Sequence, residues 1–133
     1  MAEMPDGISS PATGTACAVL VVDDDLDVRA IAAQMFEILG LAVIEASSGP
    51  EALRLLAQHS EISVLFSDVR MPGMSGAELA AEARKLRPGL RVALTSGYTG
   101  GVDGTKLRDM HVLPKPWRLN EIAALVPARG RVA

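Results

Sequence analysis

The chain has 133 residues, of which 49% are hydrophobic and 22% charged, with a formal net charge of −3. That is the length of one domain, and the balance excludes a disordered polyelectrolyte. A small net charge without a basic stripe also argues against direct nucleic-acid binding.

Aromatic residues number only two Phe, one Trp and one Tyr, so the core must be built from Val, Leu, Ile, Met and Ala. The single cysteine, Cys17, rules out a disulfide within the chain and suits a reducing, cytoplasmic setting. It reads as a small buried hydrophobe.

Residues 1–15 are rich in Gly, Pro, Ser and Thr and lack Lys and Arg, which predicts a disordered tail and not a signal peptide. The longest continuous apolar stretch, Ala16 to Val22, is too short to span a bilayer, so no membrane association is expected. Without alternation, it reads as a first strand covered on both faces, stopping at Asp23-Asp24-Asp25. Val28, Ile31, Ala32, Met35 and Leu39 then recur at helical spacing, and Gly40 signals the helix end.

Leu41 to Ala46 is a second strand. Ser48-Gly-Pro-Glu51 has the form of a capping box opening a second helix, with Leu53, Leu55 and Leu56 on its buried side. Glu61 to Phe66 gives a third strand that runs into Ser67-Asp68, followed by a turn at Arg70-Met-Pro-Gly-Met74. Ser75-Gly-Ala-Glu78 is another capping box, for a helix through Leu86 that ends before Pro88. Leu90 to Thr95 is a fourth strand, followed by Ser96-Gly97. Glycines at 100, 101 and 104 leave room only for a short helix near Thr105 to Met110. Val112-Leu113 is a brief fifth strand before Lys115-Pro116, and Leu119 to Val126 is a last short helix.

Five strands alternating with helices predict an α/β fold: a doubly wound, five-stranded parallel sheet of order 2-1-3-4-5, flavodoxin-like, with helices on both faces. The domain is expected over residues 16–126, with a tail at 127–133, and leaves no length for an output domain.

Ligands of such sheets bind outside the carboxyl ends of the strands. The first strand delivers Asp23, Asp24 and Asp25 there, the third Asp68, the fourth Thr95 and Ser96, and the fifth Lys115. Two carboxylates about 5 Å apart repel by roughly 3 kcal/mol at an effective dielectric near 20. One lysine does not offset three such acids, and oxygen ligands alone suit Mg²⁺ or Mn²⁺. A hard cation, a lysine and a hydroxyl are what a phosphoryl group needs around its oxygens, and a carboxylate nucleophile can form an acyl phosphate.

Val21-Val-Asp-Asp-Asp25, Ser67-Asp-Val-Arg-Met-Pro-Gly-Met-Ser-Gly76, Thr95-Ser-Gly97 and Lys115-Pro-Trp117 together resemble the motif set of response-regulator receiver domains, over about Ala16 to Val126. The resemblance implies that Asp68 accepts a phosphoryl group from a phosphohistidine on a sensor histidine kinase or a histidine phosphotransfer protein. It implies Mg²⁺, for which Mn²⁺ can substitute, held by Asp24, by Asp23 through water, by Asp68 and by the backbone carbonyl of Arg70. Ser96 matches the switch hydroxyl and Lys115 the lysine that pairs with a phosphoryl oxygen, followed by a cis bond to Pro116. Output through an unidentified downstream protein is implied, from a monomer or weak homodimer that is either stand-alone or part of a hybrid kinase.

The sequence also departs from that pattern. Val112 stands three before Lys115, where the family often has an aromatic switch residue. The segment between Ser96 and Lys115 is short and glycine-rich. Arg70 and Tyr98, each two residues beyond a site residue, are expected to overhang the phosphoryl group and slow its loss.

Asp25 and Asp27 read as favouring the N-terminus of the first helix. The Arg84, Lys85, Arg87 and Arg91 cluster reads as complementing a helix end. His59 and His111 lack ligand spacing, and Met71 and Met74 read as packing or partner contact. Two other functions stay open on the residues alone. One is a haloacid-dehalogenase-like phosphatase using Asp23-x-Asp25, and the other is a binding module with a relict site.

Overall fold

The structure, a computed structural model, describes residues 17–97 and 111–126. The two tails, Tyr98 and the expected helix near 105–110 lie outside the described residues. The strands are β1 Ala18–Val22, β2 Ala42–Ala46, β3 Ile62–Asp68, β4 Arg91–Ser96 and β5 His111–Pro114. The helices are α1 Leu26–Ile38, α2 Gly49–Gln58, α3 Gly76–Leu86 and α4 Leu119–Ala124.

The strands form one parallel sheet in the order β2-β1-β3-β4-β5, the doubly wound order expected from the alternation of elements. The two central strands, β1 and β3, are buried on both sides. Their side chains split between two cores. Ala18, Leu20, Val22 and Leu65 face Ala52, Leu56, Leu79 and Ala83 of α2 and α3. Val19, Val21, Val64 and Phe66 face Ala32 and Phe36 of α1 and Ile122 of α4.

One irregularity sets that split. The β1–β3 register steps from Ala18↔Ile62 to Val19↔Val64, so Ser63 is an extra residue, a β-bulge. Ile62 and Val64, which share a face in a regular strand, therefore lie in opposite cores. Cys17 is half-buried here and its thiol lies 2.8 Å from the Ser63 hydroxyl, so it is a polar partner as well as a packing residue.

The helix signals hold at α3, while α2 and α1 each differ from them in one detail. At α3, Ser75 and Glu78 form the reciprocal capping box. At α2, Ser48 accepts from the Glu51 amide, but the Glu51 carboxylate accepts from the Ser47 amide and hydroxyl. The Ser47 backbone bond holds that carboxyl below the usual range. In α1 the buried stripe is Ala32, Ala33 and Phe36, while Ile31, expected inside, is 54% exposed. Val28, Ile31 and Met35 instead line a surface pocket of about 220 Å³ with Pro116 and Trp117. Among the described residues no helix is long and apolar enough to cross a membrane.

The basic cluster after α3 is more specific than a dipole complement. Arg87 reaches across to donate to the carbonyls of Ile62 (2.5 Å), Leu56 (2.8 Å) and His59 (2.6 Å). It ties the end of α2 and the start of β3 to the end of α3. Charge-assisted bonds to backbone carbonyls are the strong kind, and their loss leaves half-buried acceptors unpaired. Arg87→Met should therefore cost about 2–3 kcal/mol in a urea melt. Arg84→Met, on the same helix, should cost less than about 0.5 kcal/mol.

Candidate functional site

The carboxyl ends of β1, β3, β4 and β5 meet at one edge of the sheet. β1 leads into Asp23, which is 3% exposed and accepts from the Asp25 amide at 2.9 Å. Asp24 is exposed. Asp25 turns away from the cluster: its side chain accepts from the amides of Asp27 (2.9 Å) and Val28 (3.2 Å) and caps α1. Its role is the helix-end one expected of it. That commitment weakens a phosphatase reading, which needs Asp25 as a second reacting acid.

Asp68 ends β3. Carboxylate oxygens of Asp23, Asp24 and Asp68 lie within 4.8 Å of one another. Lys115 faces them, with Nζ 3.6 Å from Asp23 Oδ2 and 3.7 Å from Asp68 Oδ1. The Lys115–Pro116 peptide bond is cis, as the resemblance implies. The Lys115 amide donates to the Ser96 carbonyl at 3.0 Å. Ser96 is the last residue of β4 and buried, next to Thr95, which pairs in register with Asp68. Arg70 is exposed, and its backbone hydrogen bonds to the Asp68 carboxylate.

The backbone around Asp68 is held from two sides. The Val69 amide donates to the Thr95 carbonyl at 2.9 Å, and the Gly76 amide donates to the Val69 carbonyl at 2.9 Å. α3 begins so close to this strand end that a Cβ on Gly76 would collide with the Asp68 carbonyl oxygen. Only glycine permits that approach. Met74, half-buried in the same loop, seats against Gly49 of α2, which supports the packing reading of that residue.

Arg29 and Trp117 belong to this edge and were not legible as such. Arg29, 15% exposed, donates to the Asp23 carbonyl and to Glu45 Oε1, each at 2.9 Å. It brings a second cation behind the acids. The only sequence signal is a basic residue one turn into the helix that follows an acid run. Trp117 lies edge-to-face on Phe66, with ring centroids 5.3 Å apart.

The electrostatics follow from this crowding. Burial pushes the Asp68 carboxyl above the usual carboxylate range, and the neighbouring Asp23 and Asp24 charges push the same way. Lys115 and the Arg70 backbone bond oppose them. Three anionic oxygen donors with no nitrogen or sulfur ligand among them fit a hard divalent cation such as Mg²⁺.

Between the ordinary carboxylate pKa and the raised one, the folded protein keeps a proton on Asp68 that the unfolded chain has released. Metal-free stability therefore falls as pH rises through that window, and the cost is complete above it. Asp68→Asn removes this term, while Glu51 and Glu61, both lowered, act equally in both proteins. In EDTA at pH 7, Asp68→Asn should melt roughly 3–6 °C above the wild type. The gap should close as pH drops toward 4. Millimolar Mg²⁺ should raise the wild-type melting temperature more than that of the variant, since it binds the folded state.

The family profile of the response regulator receiver domain matches residues 19–127. The sensor kinase CckA of Brucella abortus (strain 2308) is 35% identical over 118 residues, covering 86% of this chain and 12% of the kinase. The response regulator receiver protein CpdR of the same organism is 32% identical over 107 residues, covering 78% of this chain and 88% of CpdR. The crystal structure of the receiver domain from the hybrid histidine kinase CckA superposes with a TM-score of 0.69 at 33% identity. That match covers 86% of this chain and 99% of the other. The chain thus spans a small part of one relative and most of another. With the profile matching residues 19–127, most of the chain, the chain belongs to the response regulator receiver domain family of two-component systems.

Proposed function

We propose that Asp68 is the phosphoacceptor of a two-component phosphorelay. The observation that carries this is the convergence of Asp23, Asp24, Asp68 and Lys115 at one strand edge, within 4.8 Å among the acids and 3.7 Å to the lysine. An Asp68 carboxylate oxygen attacks the phosphorus of a phosphohistidine. The new O–P bond forms as the P–N bond breaks, and the imidazole leaves with the bonding pair and takes up a proton.

Asp23, Asp24, Asp68 and the Arg70 carbonyl are the residues that would hold Mg²⁺ or Mn²⁺. The ion, when bound, supplies positive charge for the phosphoryl oxygens and relieves the repulsion among the acids. Lys115 pairs with one phosphoryl oxygen. Ser96 closes on another and so carries the change in Asp68 to the neighbouring surface.

The donor is a sensor histidine kinase or a histidine phosphotransfer protein, and the signal leaves by contact with a downstream protein. Relatives of both kinds, a kinase and a receiver protein, support either a stand-alone receiver or the receiver part of a hybrid kinase. A cytoplasmic setting fits the lone Cys17. Hydrolysis of the acyl phosphate is slow, a reading that rests on the sequence positions of Arg70 and Tyr98, two residues beyond Asp68 and Ser96.

The test is to incubate the protein with Mg²⁺ and acetyl phosphate and weigh the products. Wild type should gain one phosphoryl group, Asp68→Asn none, and Asp23→Asn a reduced amount. Wild type without label, with acetyl phosphate or with a phosphorylated histidine donor, overturns the proposal in favour of a binding module with a relict site. After removal of the donor, Arg70→Asn combined with Tyr98→Glu should lose its label at least several-fold faster than wild type. An unchanged decay rate refutes the screening role.

A further inference from the structure

Trp117, the chain's only tryptophan, makes a polar contact that its packing does not require. Its indole N–H donates to the Thr95 hydroxyl at 2.6 Å. Thr95 is 1% exposed and is the junction of the site's backbone ties. Its carbonyl accepts from Val69, next to Asp68, and the following carbonyl, of Ser96, accepts from Lys115. Trp117 stands two residues beyond Lys115, and the Lys115 ammonium lies 5.9 Å from its ring centroid, within cation–π range. The ring is braced in turn by Phe66, and Phe66 by Phe36, each pair edge-to-face at 5.3 Å.

We infer that Trp117 is a positioning residue for the acceptor site, acting through the Thr95 hydroxyl to hold Lys115 against Asp68 and Asp23. The inference rests on the phosphoacceptor reading above and deepens it.

A ring locked only by apolar packing can slide along the Phe66 edge. The indole N–H fixes its rotation to the end of β4, and with it the backbone that carries Lys115. The contact is directional, and its acceptor residue Thr95 is buried. The net worth of one such bond corresponds to roughly a three- to tenfold effect on the rate that depends on it. The same contact makes Trp117 a built-in reporter. When Lys115 leaves the acids for a phosphoryl oxygen, the charge beside the ring moves.

The test is a double-mutant cycle on the full chain. Trp117→Phe keeps an aromatic ring and removes the donor, and Thr95→Val keeps the shape and removes the acceptor. Labelling of Asp68 by acetyl phosphate with Mg²⁺ should slow by roughly three- to tenfold in each. The double variant should be no slower than the slower single, and Thr95→Ser, which restores a hydroxyl, should come within about twofold of wild type. Trp117 emission should change on labelling in wild type and stay constant in Asp68→Asn.

Wild-type rates in both single variants, additive losses, or a Thr95→Ser as slow as Thr95→Val would each overturn the inference. Emission that ignores labelling would do the same without any variant. Failure of wild type to label is a different result, and it takes down the phosphoacceptor reading together with this one.

Discussion

Repulsion among three carboxylates is the constraint around which this protein is arranged. Asp23, Asp24 and Asp68 come from two different strand ends, and their oxygens are held within 4.8 Å of one another. At an effective dielectric near 20, two full charges about 5 Å apart repel by roughly 3 kcal/mol before any compensating cation is counted. A floppy scaffold would let the acids part. Here they sit at the ends of the two central strands, β1 and β3, which are sealed on both faces and tied along their length. The compensating cations are placed unequally. Lys115 faces the carboxylates directly, while Arg29 holds the Asp23 carbonyl from behind. The residual negative charge is what the proposed divalent cation would offset.

The bulge at Ser63 contributes to that geometry from the far end of the strand. It switches the parity of β3, so that Val64 and Phe66 join the core under α1 and α4. Phe66 then becomes the platform on which Trp117 rests. Asp68, two residues on, ends the strand with the parity of Phe66 and meets Lys115. Without the extra residue every side chain from Val64 onward would change sides, and Phe66 would point toward α3. One residue at the start of a strand thus governs which helices the Asp68 end of that strand faces.

Much of this was legible in the sequence because strand ends and helix starts carry local chemistry. An apolar run ending in acids marks both a buried strand and its functional edge, as at Val22-Asp23 and Phe66-Ser67-Asp68. Capping residues such as Ser75 with Glu78 announce helices before any packing is known. The side of α1 that faces the sheet was harder to find. Two overlapping stripes, one through Val28, Ile31 and Met35 and one through Ala32, Ala33 and Phe36, are both helical in period. Only the position of the sheet decides that the second is buried. Contacts between residues distant in sequence, such as Arg87 with three carbonyls or Trp117 with Thr95, leave no periodic trace at all.

The absence of an aromatic residue at Val112 matters more once the cores are assigned. Val112 packs against the core under α2 and α3, where a branched aliphatic chain has few rotamers to choose between. A ring flip at that position is therefore closed to this chain as a way of reporting the state of Asp68. The aromatic residues among those described lie on the other face of the sheet, in the ladder of Phe36, Phe66 and Trp117. Its last member touches both the end of β4 and the lysine of the site. Thr95 is tied to β3 through the Val69 amide and Ser96 to Lys115 through the Lys115 amide, both main-chain bonds, while Lys115 reaches β3 through its ammonium at Asp68. Among the described residues the aromatic ladder lies on the face of α1 and α4, so that is the face on which the proposed change at Asp68 would meet it.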